Sequence, residues 1–406
     1  MHILYFHQHF STPQGAAGTR SYEMAKALIR NGHSVTMVCG SYANGFTGLN
    51  MKFSRGRRRG VVDGIDVIEF DLEYGNHMGF FRRIRVFAKF ALQSIVVALS
   101  EPADLVFATT TPLTAGIPGI FSRWLRGKPF VFEVRDLWPE LPKAMGIVKN
   151  PGILYAMSTL EWLSYRSATR LIGLSPGIVD GIIRRGVDRS KVEMIPNGCD
   201  LSIFADSDGI WRPEEVPADN FMAVFTGTHG YANGLDAVID AAQILKNKGE
   251  ENIKIVLIGR GGEKNRLHNR AKELGLENVI FLDPIPKRQL GGLLAGAEVG
   301  LQILRNIPAF YYGTSPNKFF DYIAAGLPVI CNYPGWIAEI IDAHNCGLST
   351  EPDNPHELAC ALISLKNDKE RLNCCRSGAH KAAENFRREA LADTWVRWVT
   401  SARSTR

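Results

Sequence analysis

Two charged side chains stand three residues apart in Thr314-Ser315-Pro316-Asn317-Lys318-Phe319-Phe320-Asp321, and their placement sets the first chemical expectation. Pro316 suits the start of a helix, which then runs into Ala324-Ala325-Gly326 and a strand over 328–331. Lys318 falls in the first turn, beside Asn317. The helix dipole disfavours a cation at that end and favours a bound phosphate, so a lysine there points to an anionic ligand. Asp321 lies on the same helix face, where it could accept hydrogen bonds from a ribose diol. Alternatively, the two form a solvated i, i+3 ion pair.

Three other segments concentrate chemistry. Ser11-Thr12-Pro13-Gln14-Gly15-Ala16-Ala17-Gly18-Thr19-Arg20 follows a short apolar run. Its small residues let backbone N–H groups approach a phosphate at a helix N-terminus, or simply make a tight strand-to-helix turn. Glu133-Val134-Arg135-Asp136-Leu137-Trp138-Pro139-Glu140 follows another strand and gathers three acids, an arginine and a tryptophan. Either these line a cleft rim or Arg135 and Asp136 form a structural ion pair beside Trp138. Ile195-Pro196-Asn197-Gly198-Cys199-Asp200 contains an Asn-Gly turn signal and nothing more specific.

The elements that must position these segments alternate between strand-like and helix-like patterns. Strands are predicted at 3–6, 35–38, 67–70, 105–108, 130–134, 171–174 and 192–195. A second series is predicted at 221–226, 254–258, 279–282, 299–303 and 328–331, after a polar linker over 205–220. A helix over 19–31 ends at Gly32, a C-terminal cap signal. Two α/β series imply two Rossmann-like domains with mostly parallel sheets, binding ligands outside the strands' carboxyl ends across a shared cleft. The expected division is 1–204 and 205–386, with a last helix-like stretch over 387–406.

Composition narrows the class. The 406 residues are 45% hydrophobic and 22% charged, ordinary for a globular chain of more than one domain. Seven cysteines form no C-x-x-C pair, which predicts reduced thiols in the cytoplasm. The N-terminal apolar stretch is too short for a signal peptide, and no run is long enough to span a bilayer. A dehydrogenase would need G-x-G-x-x-G after a strand, which neither Gly15-x-x-Gly18 nor Gly259-x-Gly261 supplies. No aromatic-studded RNA-binding motif accompanies the basic runs, so nucleic acid is not an expected partner.

The net charge of +6 is unevenly spread, with Lys52, Arg55, Arg57, Arg58 and Arg59 in one segment and Arg82, Arg83, Arg85 and Lys89 in another. On a helical wheel over 80–95, Phe80, Ile84, Phe87, Ala91 and Ile95 share one face, with Arg82, Arg85 and Lys89 roughly opposite. That pattern fits an interfacial helix on an anionic membrane, or a core-packing helix with a solvated basic side.

In their order along the chain, the four segments resemble the retaining glycosyltransferases of GT-B architecture and family 4 type, the bacterial group that extends cell-surface polysaccharides. Residues 134–140 together with Ser315-Pro316-Asn317-Lys318 are similar to the O-antigen fucosaminyltransferase subgroup, which adds an amino sugar from a UDP-linked donor. The resemblance implies that Gly15, Gly18 and Arg20 lie near the donor, that Lys318 binds its diphosphate, and that Asp321 holds the ribose. It further implies that Gly227 and Thr228 follow the first strand of the second domain at the donor, that Arg260 adds charge beside the diphosphate, that Ile285 sits where the base is read, and that the helix over 387–406 packs back onto the first domain. It departs from the family at Gly313, where a glutamate is common, at Arg135, where a histidine is common, and at Thr228 and Asn233-Gly234, where relatives carry cations.

The function so implied is metal-independent, cofactor-free, retaining transfer of an N-acetylated amino sugar. A UDP-sugar is the donor and a growing polyprenyl-diphosphate-linked glycan of O-antigen or capsule the acceptor. Lys318 would stabilise the leaving diphosphate. Asp136 is the first candidate for the acceptor-side carboxylate and Glu140 the second, with Arg135 beside them. The protein would work at the inner face of the cytoplasmic membrane. The alternative is a non-catalytic sugar-nucleotide sensor. The one Asp-x-Asp, Asp206-Ser207-Asp208, lies in the linker and is not expected to hold metal.

Overall fold

The computed structural model describes residues 1–15, 17–43, 45–75, 78–201 and 209–403. Asp206-Ser207-Asp208 lies outside the described residues. The chain forms two units: Met1–Pro196 with Gly313–Ser315 and Glu389–Arg406, and Asn197–Tyr312 with Pro316–Arg388.

The first unit carries an eight-stranded sheet in the order β3-β4-β2-β1-β5-β6-β7-β8. Its strands are β1 (His2–Phe6), β2 (Ser34–Tyr42), β3 (Arg57–Val62), β4 (Ile65–Tyr74), β5 (Leu105–Thr109), β6 (Phe130–Val134), β7 (Arg170–Gly173) and β8 (Val192–Met194). All neighbours pair in parallel except β3 with β4. The central strands are buried on both faces, which is why they read as unbroken apolar runs. Six helices belong to this stretch: α1 (Arg20–Arg30), α2 (Phe80–Ser100), α3 (Ile117–Arg126), α4 (Glu140–Ala144), α5 (Pro151–Ser167) and α6 (Pro176–Arg184). Gly32 has φ +76°, and the amides of Gly32 and His33 donate to the carbonyls of Ile29 and Leu28. These are the two bonds of a Schellman cap, as the glycine signals.

The second unit carries a six-stranded, all-parallel sheet in the order β11-β10-β9-β12-β13-β14. Its strands are β9 (Phe221–Thr226), β10 (Ile253–Ile258), β11 (Val279–Leu282), β12 (Val299–Gln302), β13 (Val329–Cys331) and β14 (Gly347–Ser349). Its helices are α7 (Asp236–Asn247), α8 (Lys264–Glu273), α9 (Lys287–Ala295), α10 (Asn317–Ala324), α11 (Trp336–His344), α12 (Pro355–Asn367) and α13 (Lys369–Asn385).

A last helix, α14 (Arg388–Ser401), belongs almost wholly to the first unit. Trp395 is fully buried there against Tyr5 and Phe107, and Trp398 donates to the Leu171 carbonyl at 3.0 Å. Each unit thus has its own hydrophobic core. Among the described residues no helix is long and apolar enough to cross a membrane.

The basic run over 52–59 is a correction to the charge reading. Arg58 pairs with Glu69 at 2.8 Å, and Arg59 with Asp66 at 2.7 Å and Glu101 at 2.9 Å. Two of its five cations, Arg58 and Arg59, are thus answered by carboxylates of their own unit.

Candidate functional site

In the second unit the strand order reverses at β9, whose neighbours β10 and β12 lie on opposite sides. Ligands of such sheets bind outside the carboxyl ends at this point. The loop leaving β9 is Gly227-Thr228-His229-Gly230, and it lies backbone to backbone on the loop leaving β10. The Gly227 amide donates to the Ile258 carbonyl, and the His229 amide to that of Arg260, both at 2.9 Å. Gly259 has φ +153°, and a Cβ there would stand 1.8 Å from the Gly227 oxygen. Only glycine permits this approach.

Lys318, in the first turn of α10, reaches the same point. Its Nζ lies 3.8 Å from the Phe225 ring centroid and donates to Asn233 Oδ1 at 3.1 Å. Asn233 Nδ2 donates in turn to the Thr228 carbonyl at 2.6 Å, tying the lysine to the glycine loop. Among the described residues no carboxylate lies within ion-pair distance of Lys318. Burial pulls its ammonium down to about 7. A cation desolvated without a counter-ion is a prepared seat for an anion. His229 is fully buried with neither ring nitrogen hydrogen-bonded. Burial, then Lys264 and Lys318, lower it to about 4, so its ring is neutral.

Lys318 and Asp321 do not form the i, i+3 pair. Asp321 Oδ1 lies 3.2 Å from Lys287 Nζ, Lys287 lies 3.0 Å from Asp200, and Asp200 is bound by Arg388. This chain of alternating charges also explains the segment ending at Asp200, whose signal was only a turn. Cys199 and Asp200 are fastened to Phe386 and Arg388, so the two stretches that join the units meet on the second one. Burial alone would raise the Asp200 carboxyl, but Lys287 and Arg388 hold it below its usual range.

The remaining second-unit candidates sit at the rim. Thr228, Arg260 and Asn317 are exposed, and Ile285 is half-buried in the loop after β11. Arg260 stands 3.6 Å from Asp283, which Lys264 also contacts at 2.9 Å. Among the described residues no group of three His, Cys, Asp or Glu side chains is arranged to hold a metal ion.

In the first unit the order reverses between β1 and β5. Gly15 is buried, and a Cβ there would stand 2.3 Å from Ser11 Oγ, so this loop needs a glycine for space. Gly18 is exposed, and Ala16 lies outside the described residues. Arg20 is a correction. It is buried, its Nε and Nη2 donate to Glu133 at 3.1 and 2.9 Å, and its Nη1 and Nη2 donate to the carbonyls of Pro196 and Ile195. Those bonds withdraw it from any ligand. Glu133 is likewise not on a rim. It is fully buried and accepts also from Thr109 at 2.8 Å and Trp395 Nε1 at 3.3 Å. Burial would raise its carboxyl, but Arg20 and Arg135 outweigh that and hold it at about 2.

Arg135 pairs with this Glu133, at 3.3 Å, rather than with Asp136. Asp136 accepts from Thr111 Oγ1 at 3.0 Å, and burial raises its carboxyl despite Thr111 and Arg135. Glu140 opens α4, partly exposed and 3.9 Å from Arg184. Three polar residues escaped the sequence reading: His7, Gln8 and His9, at the carboxyl end of β1. His7 Nδ1, both amide atoms of Gln8 and His9 Nε2 are buried without hydrogen-bond partners. Burial, then Arg135, lowers both histidines, leaving neutral rings. Their signal was position alone, directly after an apolar strand.

Residues 15–198 match the family described as glycosyl transferase 4-like domain, and residues 208–382 the family glycosyl transferases group 1. The glycosyl transferase WcaI of Escherichia coli K12, named for colanic acid biosynthesis, is 22% identical over 340 residues, 80% of this chain and 82% of that one. The structure of sucrose-phosphate synthase from Thermosynechococcus elongatus superposes with a TM-score of 0.76 at 17% identity, covering 100% of both chains. That of Anabaena HepE in complex with UDP-glucose gives 0.66 at 18% identity, covering 99% of this chain and 100% of that one. Both are similar in fold.

Proposed function

We propose that this chain, a GT-B glycosyltransferase of the group 1, family 4 type, transfers an N-acetylated amino sugar with retention from a UDP-linked donor to a polyprenyl-diphosphate-linked glycan of O-antigen or capsule. The observation that carries the donor side is Lys318: an ammonium with no carboxylate at ion-pair distance among the described residues, held by Asn233 and Phe225 beside the glycine loop. A diphosphate seated on Lys318 and on the N-terminus of α10 has its charge met by the protein alone. As the sugar–oxygen bond breaks, charge grows on the leaving oxygen, which takes the acceptor's proton on the same face of the sugar. Asp321 offers its ribose contact through Oδ2, since Oδ1 faces Lys287. Asp136 orients the acceptor hydroxyl, with Arg135 and Glu140 behind it.

Kinetics test this. Lys318 faces growing charge, so its help is larger in the transition state than in the ground state. Lys318→Ala is expected to cut kcat by roughly ten- to a hundredfold, the scale of one charge-assisted hydrogen bond. Asp321→Asn chiefly raises the donor KM. A kcat for Lys318→Ala within about twofold of wild type would remove the lysine from the reaction, whereas absence of UDP release by the wild type with a lipid-linked acceptor would favour a non-catalytic sugar-nucleotide sensor.

A further inference from the structure

Lys287 is the first residue of α9, directly after Pro286. A cation in a first helical turn opposes the helix dipole, so its placement is as unfavourable locally as that of Lys318. At Lys287, however, the answering anions belong to the protein. Its side chain is 14% exposed, and its Nζ stands 3.2 Å from Asp321 Oδ1 and 3.0 Å from Asp200 Oδ2. Burial would lower the ammonium, but Asp321 and Asp200 outweigh that and raise it. A lysine so satisfied is no seat for a phosphate, and its work lies in what it holds.

The contacts beyond Asp200 end on backbone. Arg388 binds the other oxygen of Asp200, and its Nη2 donates to the Gly198 carbonyl at 2.7 Å. The Arg388 amide donates to the Cys199 carbonyl at 3.0 Å. Cys199 Sγ donates in turn to the carbonyl of Phe320, next to Asp321 in α10, at 3.3 Å. All of these residues belong to the second unit. Asp321 is thus held twice to one frame, through its side chain by Lys287 and through its helix by Cys199. Two acids, Asp200 and Asp321, are balanced by two cations, Lys287 and Arg388, and Lys287 bridges the acids. Without it both carboxylates remain buried with one cation for the two. A buried acid that loses its partner moves or takes up a proton, and either change spoils it as an acceptor for a sugar hydroxyl. We propose that Lys287 is the positioning residue of Asp321. It fixes the carboxylate by Oδ1, leaves Oδ2 for one hydroxyl of the donor's ribose, and anchors it through Asp200 and Arg388 to the stretches that join the units. The inference rests on the reading that Asp321 meets the ribose, and Lys287 acts on the donor only through that carboxylate.

Calorimetry on the full chain tests it with two probes. UDP carries the ribose, and inorganic pyrophosphate carries the diphosphate alone. Lys287→Met is expected to weaken UDP about tenfold, the scale of one hydrogen bond to a charged group, and to leave pyrophosphate within about twofold. Lys287→Arg, which keeps the cation on a different stem, should bind UDP within about threefold of wild type. Since Lys287 works through Asp321, its loss should cost less than about twofold once Asp321→Asn is in place. Equal weakening of UDP and pyrophosphate overturns the proposal, because it would mark a general loosening of the second unit. So does a cost of Lys287→Met that persists undiminished beside Asp321→Asn. An Asp321→Asn that binds UDP as wild type removes the ribose reading itself, and the proposal with it. Weakening by Asp321→Asn but not by Lys287→Met removes Lys287 alone. If Lys287→Met lowers the Tm, Asp200→Asn with Lys287→Met, which takes away one charge of each sign, carries the same comparison against Asp200→Asn.

Discussion

At the scale of single residues, the second unit sets at its switch point a lysine, Lys318, with no carboxylate at ion-pair distance among the described residues, and the first unit buries Arg20 against Glu133. Lys318 was legible because a lysine in a first helical turn is locally unfavourable, and that oddity needs no partner to be noticed. Arg20 was misread because its partner Glu133 stands 113 residues away, a pairing no local pattern encodes. Two expectations follow. The buried Lys318 ammonium loses its proton as pH rises through about 7, while the diphosphate of a UDP-sugar, esterified at both ends, keeps its charge. Calorimetric affinity for a UDP-sugar should therefore weaken above pH 7, with proton uptake on binding, and Lys318→Arg should flatten that dependence. A pH-independent affinity in the wild type would mean that the ammonium is not at the diphosphate. Glu133, held at about 2, contributes stability that is present above its unfolded value and is lost as pH falls toward 2. Glu133→Gln leaves Arg20 buried with its charge unanswered and should cost about 3–5 kcal/mol in denaturant melts.

Among the elements, the buried parallel strands declared themselves as apolar runs, and all twelve predicted strands are present. The two that escaped are β3 and β14. β3 reads Arg-Arg-Arg-Gly-Val-Val, an edge strand in which Arg58 and Arg59 find carboxylates across the ladder and beyond, pairings that no local pattern announces. β14 is three residues long, below the reach of periodicity. What sequence could not give is how the β9 and β10 loops lock together. That lock predicts that Gly259→Ala drives a Cβ into the Gly227 carbonyl, moves the glycine loop and weakens donor affinity. Gly262→Ala, with no atom within 4 Å of its new Cβ, is the matched control and should bind as wild type. Equal loss in both would place the effect outside the lock. Chelation probes the rim as a whole. Turnover should survive EDTA, and a complete loss restored by Mg²⁺ or Mn²⁺ would transfer the leaving group's stabilisation from Lys318 to a metal.

For the whole molecule, two separate cores predict two separable melting transitions. Trp395→Ala removes a fully buried indole from the first core, a change of about 3–5 kcal/mol. In calorimetry it should lower one transition and leave the other in place, and a single transition moving as one would show that the cores melt together. The alternation of segments made both sheets legible, but not that Trp395 and Trp398 close the first of them. Their place in the chain has a consequence for biosynthesis. The first sheet leaves the ribosome early, yet Trp395, which covers Tyr5 and Phe107 and donates to Glu133, and Trp398, which donates to Leu171, are translated only after the entire second unit. While the second unit is being made, the nascent first sheet keeps an apolar face waiting in the open. Through that interval the uncovered face is open to non-native apolar contacts, the kind of exposure that makes a nascent chain prone to aggregate.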